Sequence, residues 1–321
     1  MKNRLCYSSA ESLSRSALLW LLFPLVSCLP SVLIAGEDAE LRPLISAVEL
    51  SEHLHDPELR LIDMALDRNT FDAGHLPHAQ FVDWKREITD PEKPERYNVI
   101  NRDGMQALLR KLGVSRDSSI VVYDNLQNRL ATRMYWSLRY YGHDNVRVLD
   151  GGIKAWQRAG QPITTAVDQI SETDYQIEED RKHWTVGMTV IAEHLEDPDV
   201  KLVDGRPDGQ YSGKDRGRVF HTGKYHKQRG HIPGATNIPW KANLNPDGTF
   251  KSRKELTEIY GDILSSKRCI IYCNEGLHAA MPWFVLSELL QSGDVSLYDD
   301  SMSEWANSGQ KTSVTAQPKI E

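Results

Sequence analysis

One pattern occurs twice in this chain, and that duplication constrains its fold more than any single motif. The first copy runs Leu59-Arg60-Leu61-Ile62-Asp63, then Gly74-His75-Leu76-Pro77-His78-Ala79, then Ser119-Ile120-Val121-Val122-Tyr123-Asp124. It closes with Val146-Arg147-Val148-Leu149-Asp150-Gly151-Gly152 and Trp156. The second copy runs Val200-Lys201-Leu202-Val203-Asp204, then Gly230-His231-Ile232-Pro233-Gly234-Ala235, then Arg268-Cys269-Ile270-Ile271-Tyr272-Cys273. It closes with Val295-Ser296-Leu297-Tyr298-Asp299-Asp300 and Trp305. Short β-branched apolar runs alternate with helical patterns, such as the amphipathic stretch from about Ala131 to Tyr141. That alternation predicts an α/β fold of two tandem domains, each a mainly parallel sheet flanked by helices.

The domains are expected at residues 40–163 and 184–312, joined by a polar connector over 164–183 and followed by a tail at 313–321. The 321 residues suffice for two domains of ordinary size, and 40% hydrophobic with 26% charged residues is a globular composition. A net charge of −7 gives no sign of a nucleic-acid partner.

The N-terminus differs from the rest. Lys2, Arg4 and Arg15 precede the apolar run Ala17 to Val26, a basic start and short apolar core of the kind found in secretory signals. Residues 1–35 are read as that signal, so the protein is expected to be periplasmic or otherwise exported. Leu25-Val26-Ser27-Cys28 resembles a lipobox, which would end the signal before Cys28 and make that cysteine a lipid anchor. Cleavage after Ala35 and an uncleaved anchor remain open.

Of four cysteines, Cys6 and Cys28 fall in or beside this segment. Cys269 and Cys273 lie four apart on one strand, about 13 Å if extended, too far for a disulfide. Cys273 stands where an apolar strand meets an apolar helix, in the loop Cys273-Asn274-Glu275-Gly276-Leu277-His278. Backbone N–H groups of such a loop and the helix N-terminus converge on the sulfur, an environment expected to lower the thiol pKa and make a nucleophile. Gly276 permits the tight turn this requires. At the equivalent point the first copy has Asp124, which cannot serve as a soft nucleophile and is expected to accept N–H bonds from its own loop. The pattern is one active domain beside one structural partner.

On these motifs, their order and their duplication, residues 44–310 resemble the tandem-domain rhodanese family, sulfurtransferases of the thiosulfate or 3-mercaptopyruvate type. The resemblance implies a silent first domain and a persulfide on Cys273. The sulfur would come from a small donor and pass to a thiol, cyanide or a protein acceptor, with no cofactor and no metal. Thiosulfate-type members resemble Cys-Arg-x-Gly-x-Arg; here Asn274 and His278 stand in the arginine positions, with Glu275 between them. Gln210 stands where another substrate-contacting arginine is common. Asp204, Gln210, Arg229 and His231 are the residues expected to bind substrate or to support those that do. The basic loop 214–229 either faces water or overhangs the cysteine. A phosphatase loop would end in arginine, and the sixth residue after Cys273 is Ala279. The rival from another class is a degenerate rhodanese acting as a sulfur carrier or binding module for a protein partner.

Overall fold

The computed structural model describes residues 43–93, 97–219 and 222–315. The proposed signal segment, with Cys6 and Cys28, lies outside them. The described residues form one compact unit. The first sheet has the parallel order β1-β5-β4-β2-β3, with β1 Leu44–Ile45, β2 Leu59–Asp63, β3 Ala79–Phe81, β4 Ser119–Tyr123 and β5 Val146–Leu149. The second has the parallel order β7-β6-β8-β9, with β6 Val200–Asp204, β7 Thr236–Asn237, β8 Arg268–Tyr272 and β9 Asp294–Leu297. A fifth position survives as the single parallel bridge between Thr185 and Leu297, where the first sheet has β1 beside β5.

Strand alternation decides which face each side chain meets. In β4, Ile120 and Val122 enter a core shared by both domains, while Val121 and Tyr123 enter an outer core. In β8 the same parity sends Cys269 and Ile271 into the shared core and Ile270 and Tyr272 outward. Cys273 is next in the alternation, so it too faces the other domain. The period-two pattern thus places Cys273 at the domain boundary.

The boundary is built with matching parts. Asp150 accepts a hydrogen bond from the Phe250 N–H at 2.8 Å, and Asp299, its counterpart, accepts from the Val99 N–H at 2.8 Å. Tyr135 of helix Arg129–Tyr140 meets Phe284 of helix Ala280–Phe284 edge to face at 4.8 Å. The connector lies along the first domain: Tyr175 and Ile177 are buried, and Arg110 and Arg102 donate to their carbonyls.

Candidate active site

Ser301 fastens the Cys273 loop to the exit of β9. Its Oγ accepts from the N–H groups of Cys273 (3.0 Å) and Gly276 (3.2 Å) and donates to the Tyr298 carbonyl (2.7 Å). To do so Ser301 adopts φ 51°, a region where the first copy has Gly152 at φ 58°. Gly276 sits at φ 78°, and a Cβ there would lie 2.1 Å from Asp299 Oδ1. Any other side chain must displace that carboxylate.

Cys273 is 2% exposed. Burial is the largest influence on its thiol and pushes the pKa up. N–H groups of Glu275, Ala279 and His278 hydrogen-bond the sulfur and pull it down, and the Glu275 charge pushes it up again. The net direction is upward, which corrects the expectation of a lowered pKa. The convergent donors are there, but loss of water outweighs them.

The first domain shows what such a loop holds when the occupant is an anion. Asp124 Oδ1 accepts from the N–H groups of Leu126 (2.8 Å) and Asn128 (2.9 Å), and Oδ2 from Leu130 (2.7 Å) and Ala131 (3.0 Å). Four donors close around one buried carboxylate, as expected of a residue that caps its own loop.

Asn274 does not present a charge. Its Nδ2 donates to Gln210 Oε1 at 2.9 Å, and its Oδ1 lies 3.1 Å from His226 Nε2. An amide oxygen can only accept, so that histidine nitrogen carries the proton. Burial lowers the His226 pKa to about 4. His278 Nε2 lies 3.2 Å from the Arg129 Nη1, an obligate donor, so it is the unprotonated nitrogen. Burial, with Arg129 adding to it, lowers His278 to about 3, so the ring is neutral near pH 7.

Behind the loop, Asp204 is ion-paired with Arg206: Nε reaches Oδ1 at 3.0 Å and Nη2 reaches Oδ2 at 2.6 Å, both side chains being buried. Arg206 also donates to the Gly230 carbonyl at 2.8 Å and lies close enough to feel the Cys273 charge. Sequence reasoning missed this arginine. The signal was available, because Asp204-Gly205-Arg206 has no counterpart in Asp63-Met64-Ala65.

Other residues singled out from sequence do different work. Arg229 donates to the carbonyls of Gly213 (3.2 Å) and Lys214 (2.7 Å) and does not line the cavity at Cys273. Neither does His231, which stacks on Tyr211 with ring centroids 3.8 Å apart and engages the Tyr211 carbonyl through Nδ1 at 2.8 Å. His75 repeats that arrangement on Phe71 in the first domain, at 3.7 Å and 2.9 Å. The Gly-His-Leu/Ile-Pro segments are therefore architectural. Of the basic loop, Arg218 lines the cavity, while Arg216 is tied to the carbonyls of His226 and Lys227.

The cavity itself has a volume of about 250 Å³ and lies between the domains. The second domain supplies Cys273, Asn274, Glu275, Leu277, His278, Pro207, Gln210 and Arg218. The first supplies Leu66, Trp84, Leu126, Arg129 and Leu130, none of which sequence reasoning assigned to a site.

A family model described as a rhodanese-like domain matches residues 46–159 and again residues 188–308. The chain is 34% identical over 273 residues to the sulfur carrier protein TtuD of Thermus thermophilus, covering 82% of this chain and 93% of that protein. It is 32% identical over 268 residues to a thiosulfate sulfurtransferase of Corynebacterium glutamicum, covering 82% of this chain and 87% of that one. Among solved structures, the 3-mercaptopyruvate sulfotransferase SseA of Escherichia coli superposes with a TM-score of 0.70 at 26% identity, covering 81% of this chain and 98% of SseA.

Proposed function

The chain belongs to the rhodanese family as a tandem-domain, sulfurtransferase-like member, and from that premise we propose that it moves a sulfane sulfur through a persulfide on Cys273. The Cys273 thiolate attacks the outer sulfur of a donor such as thiosulfate or 3-mercaptopyruvate. A new S–S bond forms and the donor's bond to that sulfur breaks; sulfite leaves with the electron pair, or pyruvate leaves with it as the enolate and takes up the proton of the donor thiol. A thiolate or cyanide then takes the terminal sulfur and returns the Cys273 thiolate.

The observation that carries this reading is Asp124 in the matching loop. An aspartate places a charged oxygen two bonds beyond Cβ, and a persulfide places its charged sulfur two bonds beyond Cβ. The loop that closes four N–H groups around the Asp124 carboxylate has in Cys273 a residue whose persulfide would present its anion at the same depth. A hydropersulfide is also a stronger acid than its parent thiol, so the burial that disfavours a Cys273 thiolate is less of an obstacle to the loaded form.

The likeness to TtuD favours a second reading, in which the persulfide passes only to a protein acceptor. Intact mass spectrometry after exposure to each donor tests the shared step. One added sulfur atom in wild type, none in Cys273→Ser, is the expected result; no gain from any donor overturns it. Multiple turnover with cyanide or a small thiol marks the enzyme, and loss of sulfur only to protein thiols marks the carrier. Export is proposed with it on the sequence of residues 1–35 alone, and N-terminal sequencing of the mature protein decides where the chain begins.

A further inference from the structure

The first domain lacks a nucleophile, yet it supplies most of the apolar wall of the cavity and one of its two arginines. Arg129 Nη1 is spent on His278, a ring held neutral. Its Nε has no hydrogen-bond partner, and among the described residues no carboxylate lies within salt-bridge distance of its guanidinium. Trp240 lies under it, with the ring centroid 5.4 Å from the guanidinium carbon. A half-buried cation fixed by a tryptophan and a neutral histidine, with no carboxylate in contact and only the charge of Asp124, whose oxygens are taken by four N–H groups, to offset it, is an incomplete site. Arg218 reaches the same cavity from the basic loop. Leu66, Trp84, Leu126 and Leu130 cover the adjoining side with no polar group other than the Trp84 ring N–H, which donates to the Leu66 carbonyl at 3.2 Å.

Resting on the persulfide reading above, we propose that Arg129 binds the anionic head of an organic sulfur donor whose apolar body lies against this wall. The donor class is a compound R–SO₂–S⁻ or its carboxylate-bearing equivalent, rather than inorganic thiosulfate. The volume agrees, since about 250 Å³ is many times the ~10–15 Å³ that one water needs on the same measure, more than a five-atom dianion fills. A small dianion with no apolar part would also leave the apolar wall facing charge. With benzenethiosulfonate the step is Cys273–S⁻ + Ph–SO₂–S⁻ → Cys273–S–S⁻ + Ph–SO₂⁻. The sulfane S–S bond forms on Cys273 as the sulfur–sulfonyl bond breaks, and benzenesulfinate leaves with the electron pair. Arg129 holds sulfonyl oxygens in donor and leaving group alike, so its contribution is to binding.

Benzenethiosulfonate and thiosulfate differ by one phenyl group in place of one oxygen, which makes them the test pair. Steady-state kinetics with cyanide as acceptor, and single-turnover persulfide formation followed by mass, are compared for wild type, Arg129→Gln and Arg129→Lys. Wild type is expected to show kcat/KM about tenfold or more higher for benzenethiosulfonate. Arg129→Gln should raise KM for that donor about tenfold or more with kcat changed less than about threefold, and Arg129→Lys should fall between. Thermal melting of both variants separates lost binding from lost folding, and Arg129→Lys keeps the charge if the glutamine variant fails to fold. A wild type that favours thiosulfate, or an unchanged KM in both folded variants, overturns the proposal while leaving the persulfide intact. If neither donor loads Cys273 in wild type, the persulfide reading itself fails.

Discussion

Arg133 of the first domain and Asp299 of the second form a buried two-pronged pair across the boundary, with Nη1–Oδ1 at 2.7 Å and Nη2–Oδ2 at 3.1 Å. Their side chains are 0% and 7% exposed. The same carboxylate accepts the Val99 N–H and lies where a Gly276 side chain would have to go. The first domain thus holds, through one arginine, the group against which the Cys273 loop turns. Removing one partner leaves the other charge buried and unpaired, which typically costs about 3–5 kcal/mol. Arg133→Met is expected to lower stability by that order in denaturant unfolding and to slow persulfide formation in the fraction still folded. A variant with unchanged midpoint and rate would show the pair to be incidental.

Gly276→Ala concerns the other side of the same contact. The new methyl needs φ 78° and meets Asp299 Oδ1 at 2.1 Å. An alanine in this backbone region, with that overlap, should cost about 1–3 kcal/mol and move the N–H groups that face the sulfur. Persulfide formation on Cys273 should fall about tenfold or more, since about 1.4 kcal/mol at the reacting group is a factor of ten. Alanine at Gly293, where an added Cβ meets nothing within 4 Å, is the control and should leave the rate unchanged.

Much of this site was readable from sequence, and the rest was hidden for identifiable reasons. Cys273 and its counterpart Asp124 follow from comparing two copies of one local pattern, and Gly276 from its place in the Cys273 loop. Arg206 was within reach of the same comparison, because the first copy has Ala65 there. Arg129, Leu66 and Trp84 were not, since nothing local tells a residue of one domain that it lines a cavity of the other. Gln210 and Asn274 stand apart in sequence as two lost arginines, and only the fold shows them bonded to each other. The sign of the thiol shift failed for a different cause. Sequence leads one to expect converging N–H donors, but does not tell how much water the first domain removes.

Asp63 should make stability depend on pH. Burial, the main cause, raises its pKa from 3.8 to about 7, against a hydrogen bond from the Tyr123 hydroxyl. In the unfolded chain the carboxyl ionises near the lower value, so between the two the folded state holds the extra proton. Stability is therefore expected to fall as pH rises from about 4 through about 7. Asp63→Asn keeps an acceptor for Tyr123 and removes the charge. Thermal midpoints from pH 4 to 8 should decline less in the variant than in wild type, and parallel curves would exclude Asp63 as the source.

Asp124→Asn tests the matching loop of the first domain. The carboxylate satisfies four N–H donors, whereas an amide offers one oxygen and turns its NH₂ toward donors. At least one buried N–H pair is left unsatisfied, at a typical cost of about 1–3 kcal/mol. Denaturant unfolding should show a loss of that size. A neutral result would mean that the acid is already protonated there, as its upward shift by burial allows, and would weaken the comparison with a persulfide anion.

Cys273 itself should titrate late. Burial pushes its thiol up, and the Glu275 carboxylate adds to the push, so alkylation by iodoacetamide should rise with pH through a midpoint above the usual value of about 8.5. Glu275→Gln removes a negative charge beside the forming thiolate and should shift the midpoint down, making alkylation at pH 8 faster than in wild type. The two histidines nearest the loop do not blur the profile, since His226 and His278 are held at about 4 and about 3. Cys269 does not compete, because it is buried and its thiol is pushed up to about 12. A midpoint near or below 7 would show that the three N–H donors prevail over burial after all, and that the resting protein already holds a thiolate.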